Sequence, residues 1–63
     1  THDNAALIAA CVNGRLEMAR WLVDTFGLTV ADARSGDNSA LRGARQYGRH
    51  RVVQWLGVRF GLA

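Results

Sequence analysis

Apolar residues fall at helical spacing in stretches that come in pairs. Ala6, Leu7, Ala10 and Cys11 recur on the period of one helix face. A turn follows at Asn13-Gly14, since glycine reaches left-handed backbone angles without steric cost. Leu16, Ala19, Trp21, Leu22 and Val23 then predict a second helix over about Leu16 to Thr25. Its apolar side is too broad for one contact and suits a helix packed on both its partner and a neighbouring unit. The helix should stop at Phe26-Gly27-Leu28. Gly27 fits a left-handed C′ position, and Leu28 fits the apolar residue that folds back onto the last turn. No segment alternates with period two over strand length, so the fold class is all-α.

The pattern repeats. Shifting the chain by 34 residues places Asp3-Asn4-Ala5-Ala6-Leu7 on Asp37-Asn38-Ser39-Ala40-Leu41, Gly14-Arg15 on Gly48-Arg49, Trp21-Leu22 on Trp55-Leu56, and Phe26-Gly27-Leu28 on Phe60-Gly61-Leu62. With Ala10 on Ala44 there are 12 identities in the 27 aligned pairs from Asp3 to Thr29. Tryptophan, phenylalanine and glycine at one offset are rarely supplied by chance. Repeat 1 spans about 3–36 and repeat 2 about 37–63, within one domain over 1–63. Between the helix pairs, Thr29 and Asp32 have the spacing of a capping pair. They predict a short helical turn over about Val30–Arg34, a turn at Ser35-Gly36, and Asp37 or Ser39 as cap of the next helix.

These residues resemble the ankyrin repeat. Leu7, Ala10 and Gly14, and again Leu41, Ala44 and Gly48, match its T-P-L-H-x-A-A-x-x-G-H unit. Leu16-Glu17-Met18-Ala19 looks like the start of that family's second helix, and Val52-Val53 like its V-V pair. The resemblance covers nearly the whole chain. It implies ankyrin-like helix-turn-helix repeats stacked as a short solenoid, with a short helical linker in place of the β-hairpin finger. The departures are the missing proline, Ile8 and Arg42 at the histidine position, and Cys11 and Arg45 at the second alanine. A tetratricopeptide pair has a unit of similar length, but it needs longer helices and shorter links than Leu28–Asp37 allows.

What the resemblance implies for function is a protein–protein interaction module, a scaffold and not an enzyme. In that family the ends of the first helices and the inter-helix turns look into a concave binding surface. The positions here are Val12, Asn13, Gln46 and Tyr47, joined by Arg42 and Arg49. Tyr47 beside Arg49 would suit a hot spot, or would simply cover the turn.

Charge adds a second reading. Residues 1–34 sum to −1, and residues 35–63 carry five arginines against Asp37, giving +4. Arg42, Arg45 and Arg49 serve either as the polar cap of a terminal repeat or as a patch for nucleic acid or an acidic surface. Arg45 weighs towards the cap, because it stands where a following unit would bury a small residue. The same logic marks the opposite end. Ala5, Ala6, Ile8 and Ala9 give the first repeat an apolar leading side, so a longer array, or self-association through open repeat ends, is expected; about three units are usually needed for stability.

Other chemistry finds little support. His2, His50 and Cys11 fit no metal spacing, Cys11 sits at an alanine-like core position, and no glycine-rich phosphate loop is present. The expectation is no catalytic residue, no cofactor and no metal. One cysteine allows no internal disulfide. With no apolar run of membrane length and no signal-peptide pattern, the expected setting is intracellular, cytoplasmic or nuclear.

Overall fold

A computed structural model describes residues 2–62, with His2 and Asp3 in backbone only; the His2 side chain, weighed above as a ligand, lies outside the described residues. The described residues are all-helical: α1 (His2–Val12), α2 (Leu16–Phe26), α3 (Val30–Ala33), α4 (Ser35–Gln46) and α5 (His50–Phe60). α1 folds back on α2 and α4 on α5, while α1 against α4 is the broadest contact; α3 rests on α1, α4 and α5.

The two pairs turn and end alike. The residue opening α2 is Arg15 (φ −88°, ψ 73°), and the residue opening α5 is Arg49 (φ −83°, ψ 70°). Both follow a left-handed glycine, Gly14 at φ 72° and Gly48 at φ 67°. The turns close alike: Arg15 N–H donates to Ala10 O at 2.8 Å, and Arg49 N–H to Ala44 O at 2.8 Å. Both second helices end in left-handed glycine, Gly27 and Gly61. At the first, the N–H groups of Gly27 and of Leu28 (at 3.1 Å) both reach back to Val23 O, which closes the helix end. Trp21 meets Phe26 edge-on at 5.8 Å, and Trp55 meets Phe60 at 5.9 Å.

The linker forms its short helix at Val30–Ala33, capped by a complete box. Asp32 accepts from Thr29 N–H at 2.9 Å, and Thr29 Oγ1 accepts from Asp32 N–H at 3.5 Å. The next segment departs from expectation. Gly36, Asp37 and Asn38 all adopt left-handed angles, so the right-handed course of α4 begins at Ser39. Neither Asp37 nor Ser39 caps it. The Ser39 hydroxyl donates to Gly36 O, and Asp37 pairs with Arg42 instead.

Leu7, Cys11, Val23, Val52 and Leu56 form the fully closed centre of the core. Equivalent positions differ in burial in a consistent way. Met18 is 47% exposed where Val52 is 1%. Phe26 and Ala6 are likewise open where Phe60 and Ala40 are buried. In the other direction Cys11 is buried where Arg45 is exposed, and Val23 where Gly57 is half-buried. Each pair therefore has a leading face and a trailing face, and α4–α5 sets its leading face on the trailing face of α1–α2. The two tryptophans, identical in sequence position, part company for this reason. Trp55 is half-buried against the core, but Trp21 belongs to the open leading face and is 54% exposed.

Candidate partner-binding surface

Five of the six candidate residues lie at the C-terminal ends of α1 and α4 or in the turns beyond them, in differing roles, while Arg42 sits mid-helix and reaches towards the start of α4. Val12 is half-buried and points into the seam: a Cβ on Gly43 would come within 2.4 Å of its Cγ2. It packs the two pairs together. Asn13 is exposed, and its side-chain amide donates to Ala9 O at 2.8 Å, closing the end of α1.

Arg49 bridges the pairs. Its Nε donates to Val12 O at 3.0 Å across 37 residues of sequence. Its side chain crosses Gly14, where a Cβ would meet Arg49 Cδ at 2.8 Å. Glycine there is thus required by its backbone angle and by the arginine above it. A cation at the carbonyl end of a helix also suits the helix dipole. Arg42 pairs with Asp37 Oδ2 at 3.0 Å, with side chains 68% and 92% exposed; a pair so open is worth roughly 0–1 kcal/mol.

Gln46 and Tyr47 remain as exposed groups with no such task. Tyr47 is 57% exposed, on a backbone held by its N–H to Gly43 O at 3.0 Å. Of the basic residues in the second half, Arg59 lies over the Phe60 ring at 5.1 Å, so Arg42, Arg49 and Arg59 all have intramolecular partners.

Cys11 is fully buried, and burial pushes its thiol up to about 11. It stays protonated at neutral pH, which removes the thiolate that nucleophilic chemistry needs. Among the described residues no group of three or more His, Cys, Asp or Glu could hold a metal ion, and no helix is long and apolar enough to cross a membrane.

The apolar leading side expected from the sequence is the open face of α1–α2, where two adjoining hollows lie. One is lined by Leu16, Met18 and Trp21 beside Arg15, Glu17 and, from α5, Arg51; the other, sharing Arg15 and Met18 with it, by Ala6, Ala9, Ala10 and Leu22. Of the apolar run Ala5–Ala6 and Ile8–Ala9 that signalled this face, Ala6 and Ala9 line the second hollow, whereas Ile8 is half-buried against the core. No family model, curated protein or solved structure matches this chain.

Proposed function

We propose that the chain is a protein-interaction module, an ankyrin-like stack of helix pairs that presents the ends of α1 and α4 to a partner. The observation that carries this reading is Tyr47: a large amphipathic ring, more than half exposed, on a backbone pinned by the turn after α4. A tyrosine side chain has only two rotatable angles and so loses little freedom on binding, and tyrosine is enriched among residues that dominate interface energies. Gln46 adds an adjacent donor and acceptor, and Asn13 sits on the matching turn of the first pair.

The rival reading, nucleic acid or an acidic surface held by the arginines of the second half, fits less well. Arg42 already has a carboxylate, Arg49 a carbonyl and Arg59 an aromatic face, leaving Arg45 and Arg51 for phosphates. Paired baits test the choice. The wild-type chain should retain a protein that the Tyr47→Ala chain loses, with retention nearly unchanged from low to moderate salt. If Tyr47→Ala retains it, while Arg45→Ala with Arg51→Ala releases it and retention falls steeply with salt, the arginine reading replaces this one.

A further inference from the structure

The open leading face of α1–α2 carries the same apolar positions that α4–α5 uses to sit on its neighbour. Ala6 corresponds to Ala40, Ala9 to Gly43, Met18 to Val52, Trp21 to Trp55 and Phe26 to Phe60. In the second pair every one of these is buried or half-buried. In the first pair all five are exposed, which makes a contiguous apolar patch of the kind that marks a docking site.

We propose that this face receives one more helix pair built like α1–α2, carrying alanine or glycine at the position of Val12, with its first helix ending over Arg15. This surface is separate from the helix ends assigned to a partner above.

Two details of the existing seam specify the occupant. Arg49 reaches back to Val12 O, the last carbonyl of the helix docked before it. Arg15 is the same residue in the same turn with nearly the same backbone angles, and among the described residues its guanidinium has no hydrogen-bond partner. A helix end placed there as α1 is placed on α4 would present its terminal carbonyl to Arg15. The second detail is steric. Val12 fits because Gly43 has no Cβ; one would stand 2.4 Å from Val12 Cγ2. The first pair has Ala9 at that position, so the incoming helix must carry a residue smaller than valine.

A second copy of this chain does not meet that description. Its trailing face offers Arg45 where Cys11 is closed off completely, and Gln46 where Val12 packs. A guanidinium buried there without a carboxylate is strongly disfavoured.

The test extends the chain. A copy of residues 3–36 carrying Val12→Ala replaces residues 1–2, directly before Asp3. The extended chain should unfold in one urea transition at a higher midpoint, with an m-value larger by about half, as the added surface requires. Both its cysteines should resist a thiol reagent, the copied one because the seam now covers it. Ala9→Arg should leave the midpoint of the original chain unchanged, because Ala9 is exposed there. In the extended chain it should abolish the gain and open the copied cysteine. Arg15→Gln should remove part of the gain. The proposal is overturned by two separate transitions, a midpoint no higher than the original, or one fast-reacting thiol per extended chain. It is equally overturned if the original chain sediments as a dimer that Ala9→Arg disperses, since a second copy would then be the occupant.

Discussion

Gly43 sets the distance between the helix pairs. Helix propensity alone favours alanine over glycine by up to about 1 kcal/mol. The missing Cβ, however, is what lets Val12 approach, since a methyl group there would stand 2.4 Å from it. We therefore expect Gly43→Ala to destabilise the fold by about 1–3 kcal/mol through overpacking, read as a lowered urea midpoint. Adding Val12→Ala should recover part of that loss, and an additive double mutant would show that the two residues do not meet. A glycine at this point of a helix stands out in the sequence, but nothing there names Val12 as the neighbour that needs it. Trp21 is the sharper lesson at this scale. Its identity with Trp55 was legible at once, yet identical residues at identical helix positions differ in exposure because burial depends on what lies in front of each pair.

At the level of the elements, the helix stops were the most readable part. Gly27 in Phe-Gly-Leu and the Thr29/Asp32 spacing are local devices whose geometry needs nothing from the rest of the chain, and both form as expected. Thr29→Ala should cost about 1 kcal/mol through loss of the cap, measured by urea unfolding at neutral pH. The box also predicts a pH effect. The Thr29 N–H, with smaller help from the hydroxyl of Thr29 and the side chain of Asn4, holds the Asp32 carboxyl below its ordinary value. A depressed carboxylate contributes stability above the ordinary pKa and loses it as pH falls through the folded value. Acidification below about pH 4 should lower the urea midpoint, and Asp32→Asn should make that fall shallower; an identical slope in the variant would deny Asp32 the role. The segment from Ser35 to Asn38 was misread because only Gly36 announces a left-handed residue. Asp37 and Asn38 follow it into that region, which short polar side chains tolerate, and no sequence signal marks a run of three.

Across the whole molecule, the two pairs are alike in their turns and helix ends and unlike in surroundings. Cys11 and Arg45 occupy matching positions, one fully buried and the other exposed. Cys11→Arg should prevent folding, since it forces an unpaired charge into the closed seam. Arg45→Ala should change stability by no more than about 0.5 kcal/mol, and circular dichroism with urea titration would separate the outcomes. A large loss from Arg45→Ala would mean that the trailing face of α4–α5 is not open. Here the arginine itself gave the sequence clue. The direction of stacking as a whole became visible only when the burial of equivalent positions could be compared.

The separation between Arg49 and Val12 also bears on how quickly the chain reaches its native state. Apart from the packing of α3, contacts fall into two groups, those inside a hairpin and those joining residues about one repeat apart. No strand has to find a distant register, and each hairpin closes over a three-residue turn. Such locally wired topologies fold in microseconds to milliseconds. Mixing experiments should therefore find a single rapid refolding phase, which Val12→Ala slows only to the degree that the seam between hairpins has already formed at the barrier.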